Sequence, residues 1–310
     1  MTGADLDPSD LEAVARAARR EIVRAVAHAG GGHLGGPLSA VEILAALYFR
    51  VLRIRPGEPG WPDRDRFILS KGHSAIGLYA VLALRGFFPA AELSTFDAID
   101  SRLQGHPDMN LLPGLDMSTG SLGLGLAAGV GVALGARLAG HEFRTFVMVG
   151  DGECNEGVVW ESAHVAERYA LDNLIVVVDH NRLQQVGWRE PGSGRRLPPY
   201  PGRQLHDRWA AFGWRVLEVD GHDIAAVTGV LEEARATRGR PVVVLARTVK
   251  GKGVSFMENE YLWHSRVPTP DELRLALEEL ADPAPPAPGP AAPPGPASQL
   301  AAPATADGRS

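Results

Sequence analysis

Asp151 stands between Gly150 and Gly152 directly after the apolar run Thr145–Val149, and Asn181 follows thirty positions later at the end of a second apolar run. One carboxylate, one side-chain amide and a nearby backbone carbonyl are hard oxygen donors suited to Mg²⁺ or Ca²⁺, ions that complete their shells with water or a bound phosphate. The flanking glycines let backbone N–H groups approach that phosphate as a nest. By itself Gly-Asp-Gly also reads as an ordinary turn. Four histidines stand in short polar motifs, three of them beside a glycine: His33 in Gly32-His-Leu-Gly-Gly-Pro37, His73 in Leu69-Ser-Lys-Gly-His-Ser74, His106 in Gly105-His-Pro107 and His264 in Trp263-His-Ser265. Imidazoles donate to phosphate and hydroxyl oxygens and shuttle protons, whereas a lone histidine in a polar loop is more often a surface or hydrogen-bonding residue. Lys250, in Thr248-Val-Lys-Gly-Lys-Gly253, is either an ammonium that neutralises a diphosphate or a solvated loop charge.

An alternating array must position these groups. Thr145–Val149, Leu174–Val178, Arg215–Val219 and Pro241–Leu245 are short β-branched runs separated by helical patterns over 160–170 and 223–238. They predict an α/β fold, with a largely parallel central sheet and helices on both faces. In such sheets ligands sit outside the carboxyl ends of the strands, where Gly150-Asp151-Gly152 and Asp179-His180-Asn181 fall. The pattern Ser9-Asp-Leu-Glu12 predicts a capping box opening a helix that ends at Gly30, which hangs His33 on a glycine-rich turn. A second box, Ser39-Ala-Val-Glu42, predicts a helix through Val51, with Arg55-Pro56-Gly57 as loop. Leu122–Ala139 is nearly free of charge up to Arg137. Its glycines and alanines fall short of the ~20 strongly apolar residues that span a bilayer, so it is expected to form a buried helix packed through small residues.

With Lys+Arg 31 against Asp+Glu 37, the formal charge of −6 argues against a broad nucleic-acid footprint and favours small molecules or proteins as partners. Hydrophobic residues make up 45% of 310 positions, enough for a large core. A single cysteine, Cys154, excludes an internal disulfide and any cysteine-built zinc site, and fits a reducing cytosol. Met1 to Asp10 is polar and acidic, unlike a secretion signal, so the expected location is cytoplasmic. Nine of the 24 prolines fall within 283–303 amid alanine and glycine. That composition cannot bury a core, so the expected division is a folded domain over 1–281 and a disordered Pro/Ala-rich tail over 282–310.

The string Gly150-Asp-Gly-Glu-Cys-Asn-Glu-Gly157 through Asp172-Asn-Leu-Ile-Val-Val-Val-Asp-His-Asn-Arg-Leu183 resembles the thiamine-diphosphate fingerprint. The histidine contexts resemble the N-terminal half of transketolase at matching places from about residue 9 to 268. That resemblance implies the thiamine-diphosphate-binding fold, with Mg²⁺ (Ca²⁺ or Mn²⁺ substituting) on Asp151, Asn181 and the Leu183 carbonyl, and with Gly152 near the diphosphate. It places His73, Gly120, Ser121, Leu122, Asn181, Lys250 and His264 on the cofactor, and lines the sugar channel with His33, His106 and His264. Glu156 matches a family glutamate at a dimer interface that couples two active sites. Gly36 departs from a serine that contacts the cofactor in some relatives. The implied activity is transfer of a two-carbon ketol unit from a ketose, or its phosphate, to an aldehyde. A C-terminal transketolase subunit would supply the pyrimidine-binding domain and its activating glutamate, in an α₂β₂ assembly. The alternatives are the α subunit of a 2-oxoacid dehydrogenase and a non-catalytic subunit that anchors the cofactor.

Overall fold

The computed structural model describes residues 7–185, 192–193 and 202–281; the Pro/Ala-rich segment expected over 282–310 lies outside them. The helices are α1 (Pro8–Ala29), α2 (Gly35–Ser39), α3 (Val41–Ala46), α4 (Ala75–Arg85), α5 (Leu124–Leu138), α6 (Gly157–Arg168), α7 (Gly202–Ala211), α8 (Ile224–Ala236) and α9 (Pro270–Glu279). The strands are β1 (Arg66–Leu69), β2 (Thr145–Gly150), β3 (Leu174–His180), β4 (Arg215–Asp220) and β5 (Val242–Arg247). Among the described residues every strand pairing is parallel, in the order β1-β2-β3-β5-β4. Because successive residues of a strand point to opposite faces, the sheet feeds two cores. Phe146, Met148, Ile175, Val177, Val242 and Val244 join the core built with α1, α3, α4 and α8. Val147, Val149, Val176, Val178, Val243 and Leu245 join the core built with α5, α6 and α7. The expected parallel sheet with helices on both faces is the fold.

Three local expectations are corrected, and one strand was not expected. Helix α1 begins earlier than the Ser9-Glu12 box: Asp7 caps it, accepting from Asp10 N while Asp10 returns the bond to Asp7 N, and Pro8 takes the first turn where its missing N–H costs nothing. Its predicted end holds, with Gly30 in the left-handed region at φ 68°. Ser39 does not open a helix. It closes α2, and its hydroxyl lies 2.6 Å from Asp179 Oδ2, while α3 follows and widens into a π turn over Leu47–Val51. Strand β1 carries too few residues to show a period and is defined by its pairing with β2. Helix α5 is buried on one face only. There Gly125 and Gly129 let it close on Ser70 and Val147, which a Cβ would meet at 2.5 and 2.4 Å. The opposite face leaves Leu124 at 53% and Leu138 at 90% exposure.

Candidate active site

The register of β2 and β3 sets Gly150 beside Asp179, so the glycine turn and the turn at Asn181 leave the sheet at adjacent carboxyl ends. Asp151 Oδ1 accepts from Gly152 N at 2.8 Å, and Oδ2 accepts from Arg182 N at 2.6 Å. Arg182 at φ 66° and Gln185 at φ 64° curl the backbone back towards the turn. Asn181 Oδ1 accepts from Leu183 N at 3.2 Å. Burial, and then the neighbouring Asp179, push the Asp151 carboxyl up to about 6. A carboxylate in that position gains from a cation. Among the described residues no cluster of three or more His, Cys, Asp or Glu side chains is arranged to hold a metal. One carboxylate plus one amide oxygen therefore fits a hard divalent ion only when backbone and ligand oxygens complete its shell.

Above this turn opens a cavity of about 580 Å³. His33 reaches it from the glycine-rich turn after α1, His73 from the junction of β1 and α4, and His264 from the single turn Tyr261–His264. Their rings form a triangle with centroids 5.0 to 5.3 Å apart, and His106 lies 6.4 Å from His33 on one side. Lys250 Nζ donates to His264 Nδ1 at 2.9 Å, which fixes the His264 proton on Nε2. Burial, with Lys71 next, lowers His73 to about 2; burial, with Lys250 next, lowers His264 to about 3. His33 is lowered by burial and by His106. Burial and Lys71 bring Lys250 down to about 8, where it still carries its charge at neutral pH. The site therefore holds neutral imidazoles, which donate and accept, around one ammonium that neutralises anions.

The cavity wall also takes in Asp151, Gly152, Asn181, Gly120, Leu122 and Glu156, whereas Ser121 and Leu183 lie beside it without lining it. Sequence reasoning assigned no role to Lys71, Asp179, Glu153 or Gln184. Lys71 pairs with the fully buried Asp179, which also accepts from Thr248 Oγ1 and Ser39 Oγ. Burial raises the Asp179 carboxyl, but Lys71, Ser39 and Thr248 outweigh it and hold the group below its usual range. Glu153, buried and raised by burial, accepts from Ser70 Oγ at 2.5 Å, Gly123 N at 2.7 Å and Gly150 N at 3.0 Å. It ties the 120–123 loop to the glycine turn. The available signal was the polar residue flanking each motif: Lys71 in Ser-Lys-Gly-His and Asp179 before His180-Asn181.

A parallel α/β sheet with an acidic glycine turn, an asparagine and a lysine–histidine cluster at one rim defines the class of thiamine-diphosphate-binding proteins. Residues 11–281 match the family model "Transketolase, thiamine diphosphate binding domain", and the chain belongs to the transketolase family as a subunit of transketolase type. It is 44% identical to an apulose-4-phosphate transketolase subunit from Actinobacillus succinogenes, covering 91% of this chain and 100% of that protein. It is 41% identical to the 6-deoxy-6-sulfo-D-fructose transketolase subunit of a Clostridium species, covering 87% and 96%. The transketolase of Leishmania mexicana superposes with a TM-score of 0.78 at 30% identity, over 87% of this chain and 41% of that one. A variant of the Pichia stipitis enzyme does so at 0.79 and 29%, over 88% and 42%. The chain thus spans about two fifths of these solved transketolases and nearly the whole of the separate subunits. Among the described residues no helix is long and apolar enough to cross a membrane.

Proposed function

We propose that this chain is the diphosphate-holding subunit of a two-component, thiamine-diphosphate-dependent transketolase. It moves a two-carbon ketol unit from a ketose or ketose phosphate to an aldehyde. The observation that carries the reading is the convergence on one cavity of the Asp151–Asn181 turn pair and the cluster of His33, His73, His264 and Lys250. Bound thiamine diphosphate supplies the carbon nucleophile that accepts the ketol unit. Asp151, Asn181 and the Leu183 carbonyl would hold Mg²⁺, and Gly152, Gly120, Ser121, Leu122, His73, Lys250 and His264 the cofactor. His33, His106 and His264 would meet sugar hydroxyls, where a neutral imidazole donates to one oxygen and takes a proton from another. The names of the two subunit relatives point to anionic sugars as the substrate class.

The partner in this reading carries the pyrimidine-binding domain and its activating glutamate, in an α₂β₂ cytoplasmic enzyme with Glu156 at the interface between copies of this chain. Support comes from the near-complete coverage of relatives named as subunits and from the apolar outward face of α5. Residues 1–281 make the diphosphate-binding domain, and 282–310 serve as a tail. Reconstitution tests the proposal: the purified chain should lack ketol transfer with xylulose 5-phosphate as donor, and gain it when a pyrimidine-domain subunit is added. Turnover by the homogeneous chain alone would refute the two-component reading.

A further inference from the structure

A second cavity, of about 520 Å³, adjoins the first and shares His33 and His106 with it as a common wall. Asp97, Gln104, Asp108 and Ser118 supply its remaining polar side chains. The two cavities differ in their charged groups. Lys71 and Lys250 stand in the wall of the first, whereas among the described residues neither lysine nor arginine lines the second, and its charges are the carboxylates of Asp97 and Asp108. A sugar held by the shared imidazoles therefore has the ammonium groups of the diphosphate site on one side and carboxylates on the other.

Asp97 is a fixed part of that wall. Its N–H donates to Leu103 O at 2.8 Å, and its Oδ1 accepts from Gly105 N at 3.0 Å. Tyr79 of α4 anchors the same loop by donating to the Gln104 and His106 carbonyls at 3.0 and 3.3 Å. The preceding residue, Phe96, packs on the glycine turn that carries His33, where a Cβ on Gly32 would meet it at 3.0 Å. Asp97 holds its place at φ 58°, a left-handed conformation that aspartate and asparagine tolerate best among residues with a side chain. Its Oδ2 takes no hydrogen bond from a described residue and is left for a donor in the cavity. A carboxylate has acceptor sites alone, so it takes bonds from hydroxyls and opposes a second anion. Resting on the transketolase reading above, we infer that Asp97 is a specificity-determining residue of the sugar channel, whose carboxylate accepts from hydroxyls of the acceptor aldehyde and disfavours an aldehyde that carries its anionic end into this cavity. Of two aldehydes alike but for a phosphate, this wall selects the uncharged one.

The test uses the reconstituted two-component enzyme, saturated with ketose donor and assayed with D-erythrose and D-erythrose 4-phosphate, which differ only in the phosphate. Asp97→Asn keeps an oxygen for Gly105 N and tolerates the left-handed backbone, so the charge alone is removed. It should raise kcat/KM for the phosphorylated aldehyde relative to the neutral one about 3- to 30-fold, the effect of one partly screened charge. The melting temperature and the thiamine diphosphate constant should stay where they are, and the gain should shrink as salt is added. Asp97→Arg, which reverses the charge, should move the ratio further in the same direction. A carboxylate kept only to cap its loop works equally well as asparagine, so an unchanged ratio in Asp97→Asn overturns the inference, as does a change confined to the cofactor constant. Absence of ketol transfer from the unaltered reconstituted enzyme would instead count against the transketolase reading itself.

Discussion

Asp151 faces two conflicting demands, since burial beside Asp179 disfavours its charge while two backbone N–H groups favour it. A divalent ion at the proposed metal site would resolve the conflict, so Asp151→Ala should abolish Mg²⁺-dependent retention of thiamine diphosphate. Calorimetry on the assembled enzyme that shows unchanged affinity would remove Asp151 from the metal site. Lys250 adds a pH signature. Its pKa near 8 lies below the ordinary lysine value, so its ammonium begins to be lost as pH rises through 8, and diphosphate affinity should fall there. The stability of the free chain should move the other way over pH 8 to 10.5, because the unfolded lysine keeps its proton longer than the folded one. Lys250→Met should flatten both slopes. His106 touches the histidine triangle only at His33. His106→Ala should therefore leave cofactor affinity intact while lowering kcat/KM for the ketose roughly threefold to a hundredfold, in line with one lost hydrogen bond. Steady-state titration of cofactor and donor separately distinguishes the two effects.

The loop that presents Lys250 is clamped from beneath by three elements. Arg19 of α1 donates to Lys252 O at 2.9 Å and to Glu42 of α3 at 2.6 Å. His222, after β4, accepts from Val249 N at 2.8 Å through Nε2 and presents Nδ1 to Glu42 at 3.1 Å. Burial raises the Glu42 carboxyl, but Arg19 and His222 outweigh it and hold it below its usual range. Removing one member strands the others, so Glu42→Ala should cost about 3–5 kcal/mol of stability, and an apolar Arg19→Met/Glu42→Leu pair should recover much of it. Denaturant titration measures both. The histidine cluster carries its own linkage: with folded pKa values near 2 and 3 for His73 and His264, the unfolded chain takes up protons first as pH drops below 6.5. Stability should therefore decline from pH 6.5 downwards, and His73→Ala should make that decline shallower.

Across the whole molecule, the outward face of α5 is the feature that the isolated fold leaves unexplained. A Cβ on Gly131 meets nothing within 4 Å, so the chain's own packing is indifferent to a large residue there. Gly131→Arg should leave the melting temperature of the free chain almost unchanged, apart from the helix propensity gained over glycine. In an α₂β₂ assembly that uses this face, the same change should lower the mass measured by light scattering. An unchanged mass places the interface elsewhere.

Patterns local in the chain were legible without coordinates. The β-branched runs mark four of the five strands among the described residues, Gly30 marks the end of α1, and the glycine turn, Asn181, Lys250 and the four histidines read as one site, which the fold brings to one cavity. Period and turn chemistry act over a few residues, so they survive in one dimension. What the tertiary structure decided were pairings between distant positions. Ser39 meets Asp179 across 140 positions and Lys71 meets it across 108, which turned an expected cap and an unassigned lysine into the floor of the site. Strand β1 exists because β2 pairs with it, and the bare face of α5 shows only once its glycine face has closed on Ser70 and Val147.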